Sequence, residues 1–161
     1  MKHTIKTFFT LALALALFGI TACKGPSDNN SDGTDEGVRS WTAELTLSSD
    51  KLGIKVKAIT DDGTPVTVEG CTETELISGI ETVLHAKGSL VILKGKITEL
   101  DVSGTYANKQ TLTALNVQGL TSLQKLYCYH NQLTELNVQG LTSLIRLECY
   151  YNQLTELNVQ G

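Results

Sequence analysis

The sequence has few histidines and cysteines and no excess of basic residues. Its 161 residues include three His and four Cys, and the cysteines are scattered along the chain. The formal net charge is −4, so we expect no basic surface that could neutralise the phosphates of a nucleic acid. The scarcity and spacing of His and Cys predict neither a metal site nor a bound cofactor.

Sequence motifs of catalytic sites are also missing. CxxC, HExxH, GxSxG and the glycine-rich phosphate-binding loop do not occur. No nucleophile stands beside a recognisable base, and no acid dyad is apparent. The composition is otherwise that of an ordinary globular protein, with 41% hydrophobic and 19% charged residues. We therefore expect a protein that is not an enzyme.

The first residues have the features of an export signal. Lys2 and Lys6 precede the largely apolar stretch FFTLALALALFGI at 8–20, which is shorter than a membrane-spanning helix requires. The following ITAC resembles the lipobox of bacterial lipoproteins. That resemblance implies removal of residues 1–22, lipid attachment at Cys23, and anchoring to the bacterial membrane, outer membrane or cell surface. The alternative is an ordinary secretory signal with a cysteine nearby by chance.

A linker and a β-rich cap region are predicted next. Residues 23–37 are rich in Gly, Ser, Asn and Asp, which is typical of a flexible acidic tether. Within the cap region, 38–95, apolar alternation or β-forming residues predict strands. These strands are predicted at 41–48, 53–59, 66–70 and 89–95. The segment 72–87 has helical spacing and a potential capping box, but it is poor in helix formers, so a strand at 82–86 is favoured.

The last part of the chain, 96–161, consists of repeats. LTSLQKLYCYHNQLTELNVQG at 120–140 is followed by LTSLIRLECYYNQLTELNVQG at 141–161, a period of 21. A looser copy at 97–119 has about five extra residues around Tyr106–Gln110 and Thr105 in place of the asparagine. We call these copies the second, third and first repeats, respectively. A period of this length predicts a solenoid of about three rungs.

Within a repeat, the spacing predicts which residues are buried. Leu126 and Cys128 should point inward from a short strand, with Leu123 and Leu133 filling the same interior. Asn131 lies at the bend, where its side chain can bond to backbone groups that the bend leaves unpaired. Cys128 and Cys149 are expected to pack in adjacent repeats, although a disulfide between them is an alternative.

The outward positions of the repeats form a candidate binding face. The two full repeats differ at only four positions, namely Gln124/Ile145, Lys125/Arg146, Tyr127/Glu148 and His130/Tyr151. Variation restricted to one face, together with its tyrosines, favours partner binding. An alternative is that the aromatic residues only stabilise the ladder of strands. The predicted concave face comprises Lys125, Tyr127, Tyr129, His130, Arg146, Glu148, Tyr150 and Tyr151.

The pattern Leu-x-x-Leu-x-Cys-x-x-Asn-x-Leu resembles the leucine-rich repeat. The chain from Cys23 onward resembles bacterial surface leucine-rich-repeat lipoproteins of the internalin-like and adhesin-like group. The resemblance implies a mostly β fold with a short solenoid after a small β-rich cap. It also implies adhesion, with a protein partner on a host cell or a neighbouring bacterium. A carbohydrate ligand remains an alternative, because tyrosine faces stack on sugars.

The third repeat stops at Gly161, directly after LNVQG. We expect this end to expose Leu154, Leu157 and Val159, and an exposed parallel edge favours association. A second hypothesis for the protein is therefore a truncated or vestigial repeat protein with no independent partner.

Overall fold

A computed structural model describes residues 41–107 and 112–159, which form a mostly β protein. Within these ranges there is no helix, so none that could cross a membrane. The predicted signal peptide, Cys23 and the linker lie outside the described residues. In chain order the strands are β1 Thr42–Leu47, β2 Gly53–Thr60, β3 Val66–Glu69, β4 Glu75–Leu76, β5 Thr82–His85, β6 Leu90–Lys94, β7 Ile97–Asp101, β8 Leu112–Asn116, β9 Lys125–Tyr127, β10 Glu135–Asn137, β11 Arg146–Glu148 and β12 Glu156–Asn158.

The strands predicted for the cap region are confirmed. β1, β2, β3 and β6 occupy the four predicted segments, and buried and less buried residues alternate along them as period two requires. The strand predicted at 82–86 is confirmed as β5, and the helical alternative is wrong. A turn breaks that segment: the Ile80 amide donates to the Ile77 carbonyl, and Gly79 takes a φ of 81°.

The strands form two five-stranded sheets and one two-stranded sheet. We call the sheet with order β11-β9-β7-β2-β5 the front sheet, and the sheet with order β4-β3-β6-β1-β8 the back sheet. β10 and β12 form the small parallel sheet. Cap and repeat strands pair directly, because β2 is antiparallel to β7 and β1 is antiparallel to β8. The buried side chains of all three sheets belong to one hydrophobic core.

The repeats align with one another through parallel strands. β11 pairs with β9 so that Leu147 lies opposite Leu126, and β12 pairs with β10 so that Leu157 lies opposite Leu136. β9 pairs in turn with β7, where Leu100 lies opposite Leu126. These two leucines are further apart along the sequence than Leu126 and Leu147, because the first repeat contains extra residues. Residues 108–111, within that insertion, lie outside the described residues.

The predicted interior positions of the second repeat are confirmed as buried. Leu123, Leu126, Cys128 and Leu133 have 0% exposure. The corresponding positions of the third repeat are more open, because only one side of that repeat is covered by a described neighbour. Leu144, Leu147 and Cys149 are partly buried, and Leu157 and Val159 are exposed, as predicted. The predicted exposure of Leu154 is wrong, because this side chain is partly buried against the core. The described sheets are neither closed nor curled, so they do not by themselves indicate a solenoid.

Candidate binding face

The eight predicted binding residues lie together on and just beyond β9 and β11. Their strands are parallel and in register, which places Arg146 beside Lys125 and Glu148 beside Tyr127. Lys125 and Tyr127 are partly exposed on either side of the buried Leu126, so they point outward from the front sheet. We call the whole set the strand face: Lys125, Tyr127, Tyr129, His130, Arg146, Glu148, Tyr150 and Tyr151.

Two aromatic stacks follow the strands. The rings of Tyr129 and Tyr150 lie 4.7 Å apart with an angle of 3° between their planes. The rings of His130 and Tyr151 lie 4.4 Å apart at 13°. Tyr150 and Tyr151 meet edge to face at 77°, which joins the stacks into one cluster. Such pairs stabilise the alignment of neighbouring repeats and leave parts of the outermost rings exposed.

His130 differs from the prediction that it faces a partner. It is only 8% exposed, because Tyr151 stacks on its ring and Tyr106, Tyr129 and Tyr150 approach it edge to face. Its Nδ1 atom has no hydrogen-bond partner among the described residues. The equivalent Tyr151 is 67% exposed. Direct contact with a partner is therefore open to Tyr151 and not to the imidazole of His130.

The backbone bends shortly after β9 and again shortly after β11, at two residues of the strand face. His130 and Tyr151 both have a φ of 54°, in the left-handed region that residues with side chains rarely adopt. Each is followed by an asparagine. The Asn131 amide donates to the Cys128 and Val102 carbonyls, both at 3.0 Å, and its oxygen accepts from the Leu112 amide. The predicted role of Asn131 at the bend is confirmed.

Asn152 repeats this arrangement one repeat further on. Its side-chain amide donates to the carbonyls of Cys149 at 2.8 Å and Cys128 at 2.9 Å. Its oxygen accepts from the Leu133 amide at 3.1 Å. Each asparagine therefore closes its own bend and fastens it to the preceding repeat.

The charges of the strand face are paired. Lys125 Nζ lies 3.0 Å from a carboxylate oxygen of Glu99, and this hydrogen bond raises the pKa of Lys125. Arg146 Nε donates to Glu148 at 2.9 Å, and that contact raises the pKa of the guanidinium. The guanidinium also lies 5.4 Å from the centre of the Tyr127 ring. The strand face therefore carries paired, mutually neutralised charges beside its aromatic rings.

The structure adds residues to this surface that the repeat pattern did not reveal. Glu99 and Asp101 of β7 lie opposite Lys125 and Tyr127. On the other side of β7, Lys57 of β2 lies opposite Asp101. The outward face therefore continues from the repeats into the cap region. The alternation of charged and apolar residues along β2 indicated that one face of this strand is exposed. It did not indicate that β2 pairs with β7.

The cysteines of the described residues do not form a reactive site. Cys71, Cys128 and Cys149 are free thiols. Burial raises the pKa of Cys128 to about 12 and that of Cys71 to about 11, and it also raises the pKa of Cys149. These thiols therefore stay protonated near neutral pH and are weak nucleophiles. In residues 41–107 and 112–159, no group of three or more His, Cys, Asp or Glu could hold a metal ion.

Comparisons with models of protein families, with curated proteins and with solved structures found no match to this chain.

Proposed function

We propose that the chain is a lipid-anchored bacterial surface protein whose leucine-rich-repeat solenoid binds a protein partner through the strand face. One observation carries the proposal: the second and third repeats share their core residues and differ only on or beside the strand face. Tyr150 is 50% and Tyr151 67% exposed there, beside paired charges. Exposed aromatic rings next to arginine are typical of the centres of protein interfaces.

The binding proposal is tested with exposed tyrosines whose loss should spare the core. We expect Tyr150→Ser with Tyr151→Ser to abolish attachment of the protein, displayed on beads, to bacterial or host cells. The urea midpoint should change little, because both rings are half or more exposed. The matched control is Ile77→Ser, since Ile77 is 61% exposed on the turn before β5. Equal attachment by the double variant would refute the proposal.

A carbohydrate ligand is the second candidate. The two outermost rings, Tyr150 and Tyr151, stand at 77° to each other and offer two apolar faces on which sugar rings can stack. A glycan array probed with the same wild-type and double-variant proteins separates the two candidates. Binding to glycans that is lost in the double variant favours the sugar. If the wild-type protein attaches to cells but binds no glycan on the array, the protein partner is favoured.

The membrane anchor is proposed from the lipobox-like ITAC alone, since Cys23 lies outside the described residues. Metabolic labelling with a fatty acid should mark the wild-type chain and place it in the membrane fraction. Cys23→Ser should abolish both the label and the membrane association. An unlabelled wild-type chain in the culture medium would instead support the ordinary secretory signal.

The alternative of a truncated or vestigial repeat protein predicts poor folding. A broad, non-cooperative urea transition of the wild-type chain would favour it. A single steep transition would leave the binding proposal as the better account.

A further inference from the structure

The strand β11 forms an edge of the front sheet within the described residues. Among the described strands, β9 is its only neighbour in that sheet. An edge strand carries backbone donors and acceptors that a further strand can use, and proteins usually protect such an edge. No proline interrupts β11, and no described strand covers it.

The direction of the hydrogen bonds shows which residue of β11 is available. The Arg146 amide donates to the Gln124 carbonyl, and the Glu148 carbonyl accepts from the Cys128 amide. Both groups therefore point toward the second repeat. Because backbone groups alternate in direction along a strand, the N–H and C=O of Leu147 point the other way. A residue in this position can exchange two hydrogen bonds with an antiparallel partner.

The charges of β11 are complementary to themselves when the strand is reversed. The strand reads Arg-Leu-Glu. If two copies pair antiparallel with Leu147 opposite Leu147, Arg146 of each lies directly opposite Glu148 of the other. These flanking positions would be non-hydrogen-bonded pairs, in which side chains approach most closely. Parallel pairing of two copies would place like charges opposite each other.

Apolar side chains of the third repeat are exposed, on or near β11 and on the small sheet. Ile145 is 77%, Val159 60% and Leu157 46% exposed. The residues equivalent to Leu157 and Val159 in the second repeat are covered by the third repeat. These residues, Leu136 and Val138, are only 2% and 5% exposed. Val159 and Ile145 also line an open depression of about 560 Å³ with Leu144 and Leu147. A second copy at this edge would cover the part of this surface that borders β11, at Ile145 and Val159.

We propose that the chain forms a two-fold dimer in which β11 pairs antiparallel with β11 of a second copy, centred on Leu147. The inference goes beyond the proposed partner binding and does not depend on it. Arg146 and Glu148 would exchange their contact within the chain for contacts between the copies. The front sheet would then continue through the interface, and the two strand faces would lie on the same side of the dimer.

The test uses two single variants that are complementary to each other. Arg146→Glu gives a strand with two acids, and Glu148→Arg gives a strand with two bases. Each variant alone places like charges opposite each other in the dimer, and we expect its dimer dissociation constant to rise about tenfold. An equimolar mixture restores both opposite-charge pairs, so we expect it to dimerise about as tightly as the wild type.

Sedimentation equilibrium of the full chain in detergent micelles measures the mass of each sample. The mixture is decisive because the contact between residues 146 and 148 within one chain is broken in both variants, so recovery on mixing must be intermolecular. Lys125→Glu is the matched control, since Lys125 lies on the neighbouring strand and should leave the dimer intact. A monomeric wild type at every concentration, or a mixture no more dimeric than its components, would overturn the proposal.

Discussion

At the scale of single residues, Asn131 is one of three buried polar residues in the described part of the chain. Its buried side chain serves the carbonyls of Val102 and Cys128 and the amide of Leu112, which belong to two repeats. Asparagine and glutamine are the neutral side chains that offer two donors and a carbonyl acceptor, and asparagine is the shorter of the two. The sequence pattern places an asparagine here because the bend leaves backbone groups that need such partners.

Replacing this asparagine should therefore be costly. We expect Asn131→Ala to lower the free energy of unfolding by about 2–4 kcal/mol, because buried backbone groups lose their partners. Asn152→Ala should cost less, about 1–2 kcal/mol, since water can reach the partly buried groups around Asn152. Urea unfolding followed by circular dichroism measures both. Equal losses for the two variants would contradict this account of burial.

The residues of the candidate site were largely recognisable from the repeat itself. All eight strand-face residues do lie together, because a period of 21 brings equivalent positions of parallel strands side by side. The burial of His130 was not predictable. Its exposure depends on how Tyr106 and Tyr151 cover the ring, and the alternation of inward and outward positions does not contain that information.

At the scale of elements, the segment before β5 is fastened by a carboxylate. Glu73 accepts from the His85 amide at 2.7 Å and contacts His85 Nδ1 at 2.7 Å. These hydrogen bonds lower the pKa of Glu73 from 4.5 to about 2. They join the residues before β4 to the end of β5. That connection helps to explain why residues 72–87 fold as short strands and a turn instead of a helix.

This contact should make stability depend on pH in acid. A carboxyl group with a lowered pKa stabilises the folded state above its unfolded pKa, and the stabilisation is lost as pH falls through the folded pKa. We expect Glu73→Gln to lower the urea midpoint at pH 7 and the difference from wild type to shrink from pH 4.5 toward pH 2. Asp50 and Asp62, whose pKa values are also lowered, are present in both proteins and cancel in the comparison. A constant difference from pH 7 to pH 2 would show that the charge of Glu73 has no such effect.

At the scale of the whole molecule, the cap region and the repeats share one core. β1 carries Leu45 into the same buried cluster as Leu126 of the second repeat. The two regions are also joined by hydrogen-bonded strands, β2 with β7 and β1 with β8. Because both the core and the sheets cross the predicted boundary near residue 95, unfolding of one region should expose the core of the other.

We therefore expect a substitution in the core of a repeat to destabilise the cap region as well. Leu126→Ala should lower the free energy of unfolding by about 2–5 kcal/mol. Trp41, next to β1, reports on the cap by fluorescence, and its transition should shift together with that seen by circular dichroism. Leu90→Ala, at a 48% exposed position, is the control and should cost only about 0.5 kcal/mol. A Trp41 transition unmoved by Leu126→Ala would mean that the regions unfold separately.

The sequence by itself determined five strands of the cap region, the period of the repeats and the buried positions of the second repeat. These features follow from local rules: side chains alternate in a strand, and a repeated pattern must bury the same positions each time. Only the tertiary structure decided that β2 continues the sheet of the repeats, that Lys125 pairs with Glu99, and that His130 is covered. Those outcomes depend on neighbours that are distant along the chain, and the packing of the whole protein selects them.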